Sequence, residues 1–177
     1  MGKLFSRISL AGRQTGVVRF AVEHRFRRPP EAVAAVLADP EFYTGLELPD
    51  VAPPVVLDHR DDGTFVRIRL RYQFVGGLDP VALRLIGSDR LSWLQDIEVD
   101  LSGSGRLTFA AEADARRLHG WADFTLARGG GGSVRRLTGE LIVAVPAVGS
   151  WAERRILPGL LRRLDIEAEA VDSRLEN

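Results

Sequence analysis

Near the end of the chain, over Val148–Leu175, the residues Leu157, Leu161, Leu164, Ala168, Val171 and Leu175 recur at intervals of three and four. That is the period of one helix face. Arg154, Arg155, Arg162, Arg163, Asp165, Glu167, Glu169 and Asp172 fill the other side. At about 1.5 Å per residue the helix is roughly 40 Å long, enough to cross a small domain. Its apolar stripe needs a broad partner. The segments before it read as alternating strands, so the pattern predicts a long helix laid across a curved antiparallel sheet, with a cavity between them. Pro158 falls inside the helical pattern and is expected to kink or restart it.

Val18, Phe20, Val22, His24 and Phe26 alternate with Arg19, Ala21, Glu23 and Arg25, the pattern of a half-buried strand. Pro29 and Pro30 open a helix with Val33, Val36 and Leu37 on its apolar face. Asp39-Pro40 stops it, and a second short helix is expected from Glu41 to about Leu46. Residues 49–54 read as a Pro-containing loop, 55–60 as a short strand and Asp61-Asp62-Gly63 as a hairpin turn. In the strand Thr64–Phe74, Val66, Ile68, Leu70, Tyr72 and Phe74 share one face and Arg67, Arg69, Arg71 and Gln73 the other. Asp79-Pro80 opens a short helix to about Ile86. Four further strands follow, at about 91–100, 106–112, 118–126 and 134–145. Gly129–Gly132 with Ser133 reads as a hairpin tip, because it leads into a strand and not into the helix that a phosphate loop requires. Short connections imply an antiparallel meander. Residues 1–15 are expected to be a flexible tail, and 16–177 one domain.

A chain of 177 residues can bury a sizeable core as one domain. No apolar run approaches the roughly 18 residues of a membrane span, and the first residues lack the continuous apolar stretch of a secretory signal. The cytoplasm is the expected location. With no cysteine, disulfides and thiol chemistry are excluded. Basic and acidic residues balance at 24 each, so no nucleic-acid partner is expected. Lys3 is the one lysine; the remaining basic residues are arginines spread over the chain, which reads as a coding bias.

Three segments carry a resemblance: FAVEHRFRRPPEAVAAVLADPEFY (20–43), LDPVALRLIGSDRLSWLQDIEV (78–99) and VPAVGSWAERRILPGLLRRLDIEAEAV (145–171). Together with the strand order they resemble the START-like, or SRPBCC, superfamily of polyketide cyclase/dehydrase and lipid-transport proteins. They resemble in particular a branch of unknown function. The resemblance covers about residue 17 to the end. It implies an α+β helix-grip fold: a seven-stranded sheet wrapped around the C-terminal helix, with two short helices after the first strand and one between the third and fourth. It also implies an internal cavity for a lipid or another apolar molecule.

His24 stands on the apolar face of its strand, between Val22 and Phe26. It is either a hydrogen-bonding or proton-donating group for a ligand or a core histidine satisfied by its neighbours. The second reading is preferred, since no acid or base is visibly paired with it. His59 ends a strand, and His119 is expected to face solvent. The three histidines lack metal-ligand spacing. Trp93, Gln95, Ile97 and Val99 share a concave face, where Gln95 serves either a ligand or Tyr72 across the sheet. The cavity candidates are therefore His24, Ile68, Leu70, Tyr72, Trp93, Gln95, Phe109, Leu157, Leu161 and Leu164. The row Arg67, Arg69, Arg71 and the row Asp96, Glu98, Asp100 are expected to pair on the outer face if their strands are neighbours.

No GxSxG elbow or nucleotide-binding glycine pattern occurs, and no cofactor or metal is expected. The sequence thus predicts binding, with transport as an extension of it, of a hydrophobic or amphipathic small molecule such as a lipid. The hairpin tips and the helical insertion at 79–87 are candidate gates. No stable membrane insertion is expected. Two alternatives stand: a cyclase-, dehydratase- or hydrolase-type enzyme using the same cavity, and a non-catalytic interaction domain with a filled core.

Overall fold

The computed structural model describes residues 16–77, 80, 91–144 and 149–176, the side chains of 149–155 excepted. The tail expected over 1–15 lies outside these residues, as does, apart from Pro80, the helical insertion expected over 79–87. Seven strands form one antiparallel sheet: β1 (Val17–Phe26), β2 (Val51–Asp61), β3 (Phe65–Phe74), β4 (Ser92–Asp100), β5 (Ser104–Ala111), β6 (Leu118–Gly129) and β7 (Gly132–Val143). Their order is β1-β7-β6-β5-β4-β3-β2. The strands from β2 to β7 are a meander. The helices α1 (Pro30–Leu37) and α2 (Pro40–Thr44) carry the chain from one edge of the sheet to the other. The last helix, α3, runs Gly149–Glu176. This is the α+β helix-grip arrangement.

Strand register decides which side chains face α3. Across the sheet, Tyr72 stands opposite Trp93, Leu70 opposite Gln95, Ile68 opposite Ile97 and Val66 opposite Val99. On the far side His24 stands opposite Arg135 and Val22 opposite Leu137. The inner face is continuous from Val66 to Phe20, and Leu157, Leu161, Leu164, Ala168 and Val171 of α3 are buried in the same core. Leu175, the last residue of the expected stripe, is partly buried. Curvature is helped by inward glycines beneath aromatic rings. A Cβ on Gly105 would lie 2.4 Å from the Phe124 ring and 2.3 Å from the Glu98 carbonyl oxygen, so bare backbone is required there.

Three expectations change. Residues 51–54 belong to β2 and not to a loop. The sheet order makes β2 an edge strand. Only one side of it is paired, and the register shift between Ala52 and Val55 absorbs Pro53 and Pro54, so prolines are tolerated. The final helix does not restart at Pro158 but runs through it as one element. Pro158 sits on its exposed side, where water can satisfy the carbonyl that proline frees. At the β6–β7 turn the tip is Gly130-Gly131, with φ of 62° and 82°, as a two-residue hairpin requires. Ser133 is not part of the tip: it is buried in β7 and donates to the Arg28 carbonyl at 2.8 Å.

The outer face is cross-linked by charge. Arg69 grips Asp96 with Nε and Nη2 at 2.6 and 3.1 Å, and Arg67 meets Glu98 at 3.1 Å. Arg71 stands opposite Leu94 and pairs with Glu112 instead. Asp100 stands opposite Phe65. Such exposed pairs each contribute about 0.2–1 kcal/mol and mainly set register.

At the C-terminal end of α3, Arg28 donates to the Leu175 carbonyl, Arg27 pairs with Glu176, and Arg174 pairs with Asp39. These contacts fasten the last turn to the segment joining β1 and α1 and to the start of α2.

Gly105→Val should lower unfolding free energy by about 1–3 kcal/mol in urea titration. Arg67→Gln on the outer face should change it by less than about 0.5 kcal/mol.

Candidate functional site

The interior between sheet and helix holds a polar cluster set in apolar surroundings. His24 is 0% exposed, Arg135 1% and Glu167 1%. Arg135 spans the space between β7 and α3. Its Nη1 donates to Glu167 Oε1 at 2.7 Å, and its Nη2 lies 3.2 Å from His24 Nδ1. His24 Nε2 lies 3.0 Å from Asp165 Oδ1. These contacts fix the tautomer. A guanidinium only donates, so Nδ1 accepts, and Nε2 carries the proton and donates it to Asp165. The Phe26 ring centroid lies 5.8 Å from Arg135 Cζ, close enough for a cation–π contribution.

Burial, and then the Arg135 guanidinium, push the His24 pKa from 6.5 down to about 3, so the imidazole is neutral near pH 7. Burial and the charge of Glu169 raise the Asp165 pKa, while Arg135 pulls it back. Tyr43 lies in the same region. Its hydroxyl donates to the Leu37 carbonyl at 2.8 Å, and burial, with the Glu167 charge, holds its pKa well above 10.0.

A second group lies on the β3–β4 side. Tyr72 and Trp93 stack at 5.2 Å with 9° between their planes. The Arg163 guanidinium sits 4.2 Å from the Tyr72 ring centroid and 5.9 Å from that of Trp93. The Tyr72 hydroxyl and Arg163 Nε and Nη2 are buried without a hydrogen-bond partner. Burial raises the Tyr72 pKa, and the neighbouring Arg163 opposes it.

The structure therefore sorts the sequence candidates. His24, Ile68, Leu70, Tyr72, Trp93, Gln95 and Phe109 all face inward, and Leu157, Leu161 and Leu164 face them from α3. Gln95 lies between Leu70 and Phe109 rather than across from Tyr72. His119 lies on the outer face but is half-buried, its Nδ1 without a partner.

Two readings are corrected. An acid is paired with His24, namely Asp165. Glu167, expected on the charged side of the helix, is buried. The signal was present in both elements. Glu167 sits three residues after Leu164 and four before Val171, on the apolar stripe. Arg135 shares its strand parity with Leu137, Leu141 and Val143, as His24 does with Val22 and Phe26. Among the described residues no group of three or more His, Asp or Glu is arranged to hold a metal, and no helix is long and apolar enough to cross a membrane.

Glu167→Gln leaves the Arg135 cation buried and uncompensated, and should cost about 3–5 kcal/mol. Replacing Arg135 and Glu167 together by Met should cost clearly less than the two single changes summed, measured as a double-mutant cycle. The depressed His24 pKa sets a pH dependence. Below about pH 6.5 the unfolded chain takes up a proton that the folded protein refuses, so stability present above 6.5 is lost progressively towards pH 3. Asp165 works in the opposite sense nearer the carboxylate range, because its raised pKa lets the folded state take a proton first. Between pH 6 and 5 the slope from His24 should approach about 1.4 kcal/mol per pH unit. His24→Gln should flatten it in urea titrations.

The arrangement of elements is shared with solved proteins. A protein of Thermus thermophilus superposes with a TM-score of 0.60 at 18% identity, covering 89% of this chain and 95% of its own. The Zhui aromatase/cyclase of a Streptomyces species superposes with a TM-score of 0.57 at 14% identity, covering 90% and 93%. A START superfamily protein of Mycobacterium smegmatis gives 0.51 at 14%, covering 91% and 97%. These superpositions establish a common fold. No curated protein matches the sequence. The profile of the family described as "Protein of unknown function (DUF2505)" matches residues 21–175. The chain thus belongs to the DUF2505 family and carries the START-like fold.

Proposed function

We propose that the protein binds a hydrophobic or amphipathic small molecule, such as a lipid, between the sheet and α3, and carries it in that form. The observation behind this reading is an asymmetric grip. Among the described residues, the α3 backbone approaches β1, β7 and α1 closely, and there the inner face is sealed. Towards β4–β6, the inward-facing Trp93, Leu107, Phe109 and Leu118 are only partly buried, as are Ile156 and Leu160 of the helix. Apolar side chains on a core face that stay partly open lose burial energy of about 25 cal/mol per Å2, which a guest would restore. Polar groups such as Tyr72 and Gln95 would orient it. The named neighbours, a START superfamily protein and an aromatase/cyclase, are consistent with small-molecule handling on this fold.

The enzymatic alternative draws on the His24–Asp165 pair. Its weakness is geometric. His24 Nδ1 is occupied by Arg135, and its Nε2 proton is held by Asp165, so the imidazole has no free lone pair with which to take a proton from a substrate. We therefore read the pair as part of the scaffold.

Native mass spectrometry of protein purified from its own cell should show a co-purifying small molecule that organic solvent removes. The emptied protein should then take up Nile red, a neutral apolar fluorophore, with saturable enhancement. A reproducibly empty protein that also gives no Nile red signal would overturn the reading.

A further inference from the structure

The three orphan polar atoms beside Trp93 describe the polar end of the guest. Arg163 Nε and Nη2 are the two nitrogens of one guanidinium edge, whose N–H bonds run parallel. Elsewhere in this protein the same edge grips carboxylates twice: Arg69 holds Asp96, and Arg106 holds Asp123 with Nε and Nη2 at 2.7 and 3.2 Å. Arg163 has no such partner among the described residues. Its edge is shut off from water, and Glu167, one helical turn on, is committed to Arg135. The Tyr72 hydroxyl, on a side chain that is fully buried, is unsatisfied beside it. Native interiors rarely leave a charged donor edge and a hydroxyl unsatisfied together, because each forfeits its hydration. The guanidinium lies over the Tyr72 ring, with Cζ 4.2 Å from its centroid, which keeps the edge beside the hydroxyl.

We propose that the guest is an amphipathic acid whose carboxylate is held side-on by Arg163 and accepts a third hydrogen bond from the Tyr72 hydroxyl. This rests on the binding reading above and names the ligand class. A single cation, with the Glu167 carboxylate close enough to act on Tyr72, favours a head of one negative charge over a phosphate dianion. The apolar tail lies along Trp93, Phe109 and Leu160.

The test is competition against bound Nile red by decanoate, decanol and decyl phosphate at pH 7.5. Decanoate should displace the dye at about tenfold lower concentration than decanol, the difference expected of charge-assisted hydrogen bonds. Arg163→Met should abolish that preference, and Tyr72→Phe should reduce it severalfold. Equal displacement by decanoate and decanol in the unaltered protein overturns the acid assignment and leaves apolar binding standing. Stronger displacement by decyl phosphate overturns the choice of carboxylate. A preference that survives in Arg163→Met overturns the role of Arg163. Failure of Nile red to bind at all overturns this inference together with the reading beneath it.

Discussion

The Arg135–Glu167 pair sets the rotation of the long helix. An ion pair sealed from water is costly to form and still more costly to break on one side, so it tolerates few geometries. Its partners belong to the two elements whose relation defines a helix-grip fold, β7 and α3. His24 extends the restraint to β1 and, through Asp165, back to the helix two residues before Glu167. Sliding or rolling of α3 would break the contacts of both Asp165 and Glu167. Apolar packing alone is less particular, since the burial of Leu157, Leu161 and Leu164 is non-directional.

That restraint has a consequence one turn earlier in the helix. Residues four apart share a face, so fixing Glu167 inward also turns Arg163 towards the interior. Arg163 would otherwise be free to reach water, as long cationic side chains usually do. Instead it lies against the Tyr72–Trp93 stack with one edge unsatisfied. The lock spends two charges on rigidity, and rigidity is what keeps a third charge available. The division of the interior follows. The side near β1, β7 and α1 is closed and supports position; the side near β4–β6 has half-open aromatic and aliphatic surface with donors at its edge.

Much of the architecture was legible because it depends on periodicity. The stripe from Leu157 to Val171 and the alternation through Val66, Ile68, Leu70 and Tyr72 both survive as buried faces. So does the pairing of Arg69 with Asp96 on the outer face, since antiparallel register brings opposite charges into line. Pro53 and Pro54 were misread because a proline's tolerance depends on whether its strand is an edge, which is a property of the whole sheet. Glu167 was misread for a different reason. Charge is a good guide to exposure only while no countercharge is buried opposite, and Arg135 lies 32 residues from Glu167 in sequence. His24 was recognised as unusual from its strand parity, but its partners come from 111 and 141 residues away.

The same distances separate a scaffold role from a chemical one. A buried histidine beside a carboxylate resembles an acid–base pair, and burial often tunes such groups for catalysis. Tuning for proton transfer, however, brings a pKa towards the working pH, whereas here it is driven down to about 3. The imidazole accepts from Arg135 on one side and donates to Asp165 on the other, so it acts as a neutral spacer. It joins a cation and an anion that would otherwise need direct contact. Its value lies in having one donor and one acceptor at opposite ends of a rigid ring, which lets β1 take part in fixing α3 without placing another charge in the core.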